Sequence, residues 1–459
     1  MNVEQTVQLL ENELPSKRET KVEKSVLVVG GGITGIQVSL DLANAGFKVY
    51  LVEKAPSIGG RMAQLHRIYP TLDNSINLLM PKMVEVAEHP NINLLTNTEI
   101  LEVNGVAGNY KVAVIKKPRY VDENKCSGCG ACIDVCPIYV SDRFNEGLRQ
   151  TRAISFYSPY SVPKVTTINS EQCLRLSGKE NCDKCLKACE ANAINFEQKQ
   201  KTFNFNVGAI IICVGADVFD ASKMPELGYG RFKNVISNIE FERVLDDYGP
   251  TGGKILCPQS GKTPKTIVFI SCVGCRDKRF YQHCCNVGCM VNLKQAITVR
   301  EKLGDDAEIY ICFNDMRAFG KGYEEFYEKA RSLGVNFLAG IPAEVRSSPD
   351  GTLYVGVYEK TLNRLLELHA DLVVLTNGVI PREEFAKLSE LFHVPRSTDG
   401  FLQEAHSKLQ PFESPVAGIF LAGTCQGPKG ISESVAQASG AAAKAMVLLS
   451  KRERAILNH

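Results

Sequence analysis

The stretch SVLVVGGGITGIQVSLDLANAGFKVYLVEK, residues 25–54, decides the fold. Its pattern predicts a strand, a glycine turn, an amphipathic helix and a second strand. Gly30, Gly32 and Gly35 form G-x-G-x-x-G after the first strand, which permits a tight turn, close approach of the backbone to a pyrophosphate, and close helix–strand packing. Glu53 closes the second strand, where a carboxylate can accept hydrogen bonds from a ribose. These residues predict a dinucleotide-binding βαβ unit.

A second glycine pair and a C-terminal segment favour FAD over NAD as the dinucleotide. Gly59 and Gly60, followed by Arg61, come soon after the acidic residue, as in the FAD half of flavoproteins with two dinucleotide sites. Segment 418–429 is a glycine loop before a long helix of small residues, and in that superfamily such a segment wraps the flavin end. The residues predicted to bind FAD are Gly30, Gly32, Gly35, Glu53, Lys54, Gly60, Arg61, Met62, Gly215, Gly423, Thr424, Ser434 and Val435.

A second α/β unit follows further along the sequence. Residues 265–272 and 308–315 have the pattern of strands flanking a helix near 293–303, and 370–381 is a further strand ending in glycine. In a thioredoxin-reductase-like flavoprotein this unit would bind NAD(P)H. Since no G-x-G-x-x-G follows its first strand, pyridine nucleotide is not expected to be a substrate of this protein.

The order of these patterns predicts an α/β fold with two Rossmann-type domains, the first interrupted by a cysteine-rich insert. The predicted segments are an N-terminal arm (1–24), the first part of the FAD-binding domain (25–115), the insert (116–200), the second part of the FAD-binding domain (201–260), a second Rossmann-like domain with a cysteine-rich loop (261–380), and a return to the FAD-binding domain with a C-terminal helix (381–459).

The insert has the cysteine spacing of bacterial two-cluster ferredoxins. Its first group follows the C-x2-C-x2-C-x3-C-P run, in which three thiolates hold one [4Fe–4S] cluster and the fourth reaches a neighbouring cluster. A second group begins with an isolated cysteine and continues as C-x2-C-x3-C. Crossed ligation predicts one cluster on Cys126, Cys129, Cys132 and Cys189, and another on Cys136, Cys173, Cys182 and Cys185.

A third cysteine group lies where the second unit begins its helix. Its members are Cys272, Cys275, Cys284, Cys285 and Cys289. Three interpretations compete: a further [4Fe–4S] cluster on four of the five, a redox-active dithiol at C-x2-C, and a zinc site. Five thiols so close together, in a sequence that already has ferredoxin motifs, favour the cluster.

Composition narrows the class of protein. The 459 residues carry 53 basic and 51 acidic side chains, a net charge of +2, which argues against a nucleic-acid partner. No apolar stretch is long enough for a transmembrane helix and the N-terminus has no export signal, so a soluble cytoplasmic protein is expected.

The odd number of cysteines, 17, excludes complete intramolecular disulfide pairing. In a reducing cytoplasm, grouped cysteines indicate metal ligands or catalytic thiols.

Several stretches resemble the A-type subunit of heterodisulfide reductase. They are IGGRMAQL (58–65), PTLDNSINLLMPKMVEV (70–86), KPRYVDENKC (117–126), RAFGKGYEEFYEKA (317–330) and SVAQAS (434–439). The resemblance implies a thioredoxin-reductase-like fold with FAD, an inserted two-cluster ferredoxin domain and an extra cluster near the flavin. It also implies partner subunits of the B and C types and other electron-donor or electron-acceptor subunits, and it allows a homodimer. Full-length members carry an N-terminal cluster domain and a C-terminal ferredoxin domain that this sequence lacks, so a short form is expected.

The resemblance also assigns roles around the third group. The family's extra-cluster cysteines fall on Cys272, Cys284 and Cys289, and its remaining ligand falls on Gly288, while this sequence offers Cys275 and Cys285 instead. Lys294 matches a family lysine near the flavin N5, where a cation would stabilise an anionic reduced flavin. The alternative is that Lys294 is an exposed helix residue.

The function expected from these features is electron transfer between FAD, [4Fe–4S] clusters and partner subunits, with electron bifurcation or confurcation among the outcomes. One alternative is a relay or scaffold subunit whose FAD never reacts with an outside substrate. A second is an NAD(P)H-dependent disulfide oxidoreductase, against which the missing glycine motif argues.

Overall fold

The computed structural model describes residues 22–450, so the predicted N-terminal arm lies almost entirely outside the described residues. Within this range the strands are β1 (Ser25–Val29), β2 (Lys48–Val52), β3 (Ile92–Leu95), β4 (Thr98–Val106), β5 (Asn109–Lys116), β6 (Tyr139–Ser141), β7 (Gln150–Arg152), β8 (Ile154–Ser155), β9 (Thr167–Ile168), β10 (Lys201–Val207), β11 (Ala209–Ile212), β12 (Asp217–Val218), β13 (Val235–Ser237), β14 (Thr266–Val273), β15 (Glu308–Phe313), β16 (Asn336–Ala339), β17 (Glu344–Ser347), β18 (Leu353–Glu359), β19 (Arg364–Ala370), β20 (Leu372–Asn377), β21 (Val379–Ile380) and β22 (Ile419–Leu421).

The α-helices of the same part of the sequence are α1 (Ile33–Asn44), α2 (Ser75–Glu88), α3 (Ala131–Asp134), α4 (Lys184–Lys187), α5 (Asn238–Leu245), α6 (Gly288–Leu303), α7 (Tyr323–Ser332), α8 (Phe385–Phe392) and α9 (Ile431–Ser450). Two 3₁₀ helices, Gly60–Gln64 and Gly423–Cys425, matter for the site described below. None of the described helices is both long enough and apolar enough to cross a membrane.

The first sheet is parallel, with strand order β22-β11-β1-β2-β3. Every residue of β1 is buried, as expected for a central parallel strand covered on both faces. Helices α1 and α9 pack together on one face, where Ile36 and Ala438 lie in the same apolar core. The predicted strand–glycine–helix–strand order of the first unit is confirmed.

The second sheet is also parallel, with order β13-β20-β14-β15-β16. It contains the three strands predicted for the second unit, and its helix α6 begins at Gly288, earlier than predicted. The structure corrects one predicted boundary. Strand β13 falls within 201–260, the range assigned to the FAD-binding domain, but Val235 pairs with Val373 of β20. The second unit therefore takes in β13 and also α5, whose Phe241 lies in the same apolar core as Phe269 of β14.

The insert leaves and rejoins the first unit at one point. Strands β5 and β10 are antiparallel neighbours, and Lys116 pairs with Lys201, so the two ends of the insert meet. Between them lie two short hairpin-like pairs, β6–β7 and β8–β9, and the single-turn helices α3 and α4. The insert has its own small apolar core, which includes Cys132 and Cys185. An insertion at adjacent strand ends leaves the host sheet intact.

Two buried arginines fasten the insert to the rest of the molecule. The Arg119 guanidinium donates to Thr96 Oγ1 and to the Pro56 carbonyl oxygen, each at 2.5 Å, and pairs with Glu123 at 2.6 Å. These contacts tie the start of the insert to the first sheet. The side of the insert nearest the second sheet is held by Arg243 of α5, whose guanidinium donates to Asn145 Oδ1 at 3.0 Å.

Candidate functional site

The glycine loop after β1 has room where a phosphate would lie. Gly30 has φ +104°, and a Cβ there would lie 2.6 Å from the carbonyl oxygen of Cys213. A Cβ on Gly35 would lie 1.8 Å from the carbonyl oxygen of Gly30. Gly32 differs, since no atom lies within 4 Å of the place its Cβ would take. Gly30 and Gly35 are therefore needed for packing, and Gly32 leaves an opening at the N-terminus of α1, where unpaired N–H groups favour an anion.

Glu53 closes this loop from the side of β2. Its Oε2 accepts the Gly31 N–H at 2.6 Å and its Oε1 accepts the Ala55 N–H at 2.7 Å. Burial raises the pKa of Glu53, and these backbone hydrogen bonds oppose the rise. The carboxylate is thus fixed beside the glycine loop, at the position predicted for ribose recognition.

Residues from distant parts of the sequence meet at the same opening. A Cβ on Gly60 would lie 2.9 Å from the Cα of Gly32, and a Cβ on Gly423 would lie 2.5 Å from Thr34 Oγ1 of α1. The two 3₁₀ helices that begin at Gly60 and Gly423 therefore converge on the start of α1. A side chain at either glycine would fill the cleft they share.

The remaining predicted FAD residues divide into two sets. Met62 is buried behind the cleft, a Cβ on Gly215 would lie 3.8 Å from Thr424 Oγ1, and Ser434 and Val435 are in the first turn of α9. These five residues lie near the two 3₁₀ helices or at the start of α9, and their role in binding FAD stays a prediction.

Lys54 and Arg61 point to other partners. Lys54 forms an exposed ion pair with Glu384, and the Arg61 guanidinium lies 3.2 Å from Glu146 of the insert. The structure therefore gives these two basic side chains protein partners at the rim of the cleft.

Lys294 is buried in an ion pair rather than exposed. Its Nζ lies 2.7 Å from Glu242 Oε1 and donates to the Arg67 carbonyl oxygen at 2.8 Å. Glu242 Oε2 accepts the His66 N–H at 2.9 Å, and Gln295 donates to Oε1 at 2.6 Å. The alternative of an exposed helix lysine is wrong, because only 2% of the Lys294 side chain is accessible. The pair connects α5 and α6 to the loop that follows the 3₁₀ helix at Gly60.

Cys132 and Cys185 each have other cysteines of the insert as neighbours, and the ligand sets given by crossed ligation stay a prediction. Burial raises the pKa of the Cys132 thiol, and the nearby thiols that raise it further are Cys126, Cys189 and Cys129. Burial likewise raises the pKa of Cys185 to about 12, and Cys173, Cys132, Cys136 and Cys182 add to the rise. A cavity is lined by the four cysteines predicted for the second cluster, Cys136, Cys173, Cys182 and Cys185.

The third group encloses a separate cavity at the start of α6. Four of its five cysteines line this cavity: Cys272, Cys284, Cys285 and Cys289. Burial raises the pKa of Cys289 to about 11. Cys275 is buried behind the cavity, and its N–H donates to the Cys272 carbonyl oxygen at 3.2 Å. No three His, Cys, Asp or Glu side chains within residues 22–450 converge on one point that could hold a single metal ion.

The third group contacts segment 418–429, which is predicted to wrap the flavin and is called here the loop at the flavin end of the cleft. Asn286 Nδ2 donates to the Pro428 carbonyl oxygen at 3.4 Å. The Tyr69 hydroxyl lies 3.0 Å from the place a Cβ on Gly430 would take. Burial raises the pKa of Tyr69, and Cys285 is among the neighbours that add to the rise. One tyrosine thus lies between the cysteine cavity and the loop that leads into α9.

Two protein-family models match segments of this sequence, one in the first unit and one in the insert. The NAD(P)-binding Rossmann-like domain matches residues 28–91, and the 4Fe-4S binding domain matches residues 119–140. The second A-type iron-sulfur subunit of the CoB–CoM heterodisulfide reductase of Methanopyrus kandleri is 49% identical over 438 residues, which cover 95% of this chain and 66% of that protein. The protein belongs to the family of A-type heterodisulfide reductase subunits. The A-type subunit of the H(2):CoB-CoM heterodisulfide,ferredoxin reductase of Methanothermobacter thermautotrophicus is 44% identical over 437 residues, covering 95% of this chain and 65% of that protein.

This family member spans less than two thirds of the length of these curated relatives. Its fold is that of thioredoxin reductases. The Lactococcus lactis enzyme superposes with a TM-score of 0.51 at 14% identity, over 93% of this chain and 99% of that one. The predicted thioredoxin-reductase-like α/β fold is therefore confirmed, and with it a flavoprotein-type fold that carries a 4Fe-4S binding motif.

Sequence reasoning missed the residues that hold the site of this family member together. Glu242, the partner of Lys294, has no motif around it and becomes a neighbour only when α5 packs on α6. Arg119 lay within the stretch KPRYVDENKC, and its spacing of four from Glu123 was an available signal. Arg276 and Arg317 flank the third cavity but lie far apart in the sequence, so no local pattern connected them.

Proposed function

We propose that this A-type family member is an oxidoreductase that passes electrons between FAD, [4Fe–4S] clusters and partner subunits of a heterodisulfide-reductase-like complex. The observation that carries the proposal is the contact between the third cysteine cavity and the loop at the flavin end of the cleft. In a thioredoxin-reductase-like protein the second unit would present a nucleotide there. Here it presents four thiols, with Asn286 bonded to the Pro428 carbonyl oxygen.

FAD fits the cleft of the first unit. Gly32 leaves space at the N-terminus of α1 for the pyrophosphate, and Glu53 is fixed where a ribose would bind. Gly60 and Gly423 keep the cleft open towards the start of α9. When bound, FAD supplies two-electron chemistry and the clusters supply one-electron transfer. The protein's own contribution is to hold these groups close together and to set the charge around them.

In this proposal Lys294 is the charged side chain that acts on the flavin. The Glu242 carboxylate and the Arg67 carbonyl oxygen fix its ammonium group in a nearly water-free position. A fixed cation in low dielectric favours additional negative charge nearby. Lys294 would thereby stabilise the anionic reduced flavin, with Glu242 limiting the size of that effect.

The insert would hold two clusters, one on Cys126, Cys129, Cys132 and Cys189 and the other on Cys136, Cys173, Cys182 and Cys185. The grouping of their thiols supports this arrangement. Cys129 is exposed, so one cluster would lie at the surface, where a partner can approach. The buried clamps at Arg119 and Arg243 would keep the insert at a fixed distance from the flavin.

The third cluster would be held by Cys272, Cys284, Cys285 and Cys289, since these four line one cavity. This choice makes Cys285 the fourth ligand and leaves Cys275 as a buried thiol behind the ligands. The same arrangement disfavours NAD(P)H as a substrate. A Cβ on Gly274, in the loop after β14, would lie 2.1 Å from the Phe219 ring, so this loop packs against protein instead of forming an open phosphate cradle.

The partners are proposed from the names of the relatives. The Methanothermobacter thermautotrophicus protein is named for hydrogen, a heterodisulfide and ferredoxin. We assign to this protein partner subunits of the B and C types and electron donors or acceptors of those classes, with electron bifurcation or confurcation as the reaction type. We also place the complex in the cytoplasm, where a reducing environment keeps cysteine thiols free for clusters.

Anaerobic reduction of the purified, FAD-loaded protein tests the function. We expect reduced ferredoxin to bleach the flavin absorbance rapidly and NADH to leave it unchanged over the same time. Rapid bleaching by NADH, with none by ferredoxin, would instead support an NAD(P)H-dependent disulfide oxidoreductase. Omitting FAD during preparation gives the matched control, because cluster bleaching alone then remains.

A further inference from the structure

The cavity of the third cysteine group has charged residues on one side. Arg276 and Arg317 line it together with the four cysteines, whereas Asp315 does not. The Asp315 carboxylate nevertheless contacts both arginines: its Oδ2 lies 2.7 Å from Arg276 Nη1 and 3.1 Å from Arg317 Nη2. Two cations and one anion leave a net charge of +1 beside the thiols.

The backbone at Arg276 has a conformation that residues other than glycine rarely adopt. Arg276 has φ +55°, in the left-handed region that favours glycine, and Cys272 at the end of β14 and Asn286 just before α6 have φ +63° and +62°. Each such residue costs of order 1 kcal/mol or more and persists only where its surroundings impose it. The Arg276 N–H is fixed by the carbonyl oxygen of His283 at 3.0 Å. The loop therefore holds Arg276 beside the cavity at a cost in stability.

Asp315 contacts both Arg276 and one of the cysteines. It follows β15, and its carbonyl oxygen accepts the Cys289 S–H at 3.5 Å while its carboxylate holds Arg276. Arg276 lines the cavity and Asp315 does not, so the cation faces the thiols and the anion that holds it does not.

We propose that the positive charge of Arg276, which Asp315 positions, sets the reduction potential of the third cluster. The inference rests on the third cluster of the proposed function. Reduction adds one electron to the cluster, supplied by the flavin or a partner subunit, and no bond forms or breaks. A nearby cation stabilises the added negative charge and so favours the reduced form, because the net charge around a cluster is one of the factors that set its potential.

An EPR-monitored redox titration of the full-length protein, loaded with FAD and clusters, tests this proposal. Arg276→Gln is expected to lower the ratio of reduced to oxidised third cluster by about tenfold at a fixed applied potential, a shift of about 59 mV for one electron. Asp315→Asn is expected to shift the same potential in the opposite direction, because it removes the anion while the amide oxygen still accepts from the arginines, so both cations stay beside the cavity. Arg276→Lys should remain close to the unmodified protein.

The matched control is Arg279→Gln. Arg279 is three residues further on and 59% exposed, and it pairs with Asp277 and Glu226 away from the cavity, so no shift is expected. Unchanged potentials in both Arg276→Gln and Asp315→Asn, or shifts in the same direction, would overturn the proposal and indicate a structural role. A protein with iron only for the two insert clusters would overturn the third cluster itself, and that result is visible in the unmodified protein before any variant is made.

Discussion

The ferredoxin-like insert and the third cysteine group present two ways to gather four thiols. In the insert most of the predicted ligands follow one another at short spacings, in two runs that include the single-turn helices α3 and α4, and one of them, Cys129, is exposed. In the third group the predicted ligands lie at the end of β14 (Cys272), in the loop that follows it (Cys284 and Cys285) and in the first turn of α6 (Cys289), and Cys285 is 4% exposed. Local spacing builds the first kind of site, and the packing of the whole unit builds the second.

The difference in exposure suggests a division of labour. A cluster in the insert would be open to a partner at the surface, whereas one in the third group would be shielded and close to the flavin. Electrons would then enter or leave through the insert and reach the flavin through the interior. Each prediction below tests one side of this comparison.

The largest effect is expected from removing a ligand of the third group. Cys285→Ala should lose about four iron atoms per protein molecule, the content of one [4Fe–4S] cluster, while the EPR signals of the insert persist. Cys275→Ala is the matched variant and should keep its iron, since Cys275 lies behind the cavity. Iron analysis with EPR measures both. Iron loss in Cys275→Ala and not in Cys285→Ala would exchange their roles.

A smaller effect is expected at the attachment of the insert. Arg119→Gln leaves the Pro56 carbonyl oxygen and Thr96 Oγ1 without their charged donor, and Glu123 keeps only Lys116 as its cation. Because the arginine side chain is 1% exposed, a loss of about 3 kcal/mol is expected. Urea unfolding followed by cluster absorbance measures it. Lys187→Gln removes an exposed pair with Asp183 in the same insert and should cost less than about 1 kcal/mol. Equal losses would show that the insert is not held by Arg119.

The sequence predicted the parts of this architecture that depend on local pattern. The glycine loop, the central strands and the insert between residues 116 and 200 were all readable from spacing, and the insert ends where Lys116 pairs with Lys201. The assignment of β13 to the second sheet was not readable, because a three-residue strand has no periodicity and gains its place by pairing with β20. The Glu242–Lys294 pair was missed for a similar reason, since it joins helices far apart in the sequence.

A smaller effect is expected on the reduction potential of the flavin when the buried charge of Lys294 is removed. Lys294→Met removes the buried cation and is expected to lower the flavin reduction potential by on the order of tens of millivolts, without loss of FAD. Glu242→Gln removes the opposing anion and should raise it. Spectroelectrochemical titration measures both variants, and Lys302→Met, a more exposed lysine of the same helix, is the control. Unchanged flavin potentials would place Lys294 away from the flavin.

The smallest effect is a pH dependence of the insert. Although burial opposes it, hydrogen bonds and charges from Lys116 and Arg119 lower the pKa of Glu123 from its ordinary value of 4.5. A carboxyl group with a lowered pKa in the folded state contributes stability above 4.5 that is lost as the pH falls. The stability difference between the unmodified protein and Glu123→Gln should therefore be constant at higher pH and shrink as the pH falls below 4.5 towards the lowered pKa of Glu123. Urea midpoints measure it, and a difference that grows on acidification would contradict this account.

The central claim is that a third cluster occupies the interior cavity beside the flavin, in addition to the two in the insert. Anomalous diffraction at the iron absorption edge, from crystals of the anaerobically prepared protein, locates the iron directly. The account predicts three groups of iron, one of them inside the cavity bounded by Cys272, Cys284, Cys285 and Cys289. Iron confined to the insert, with that cavity free of anomalous signal, would contradict it.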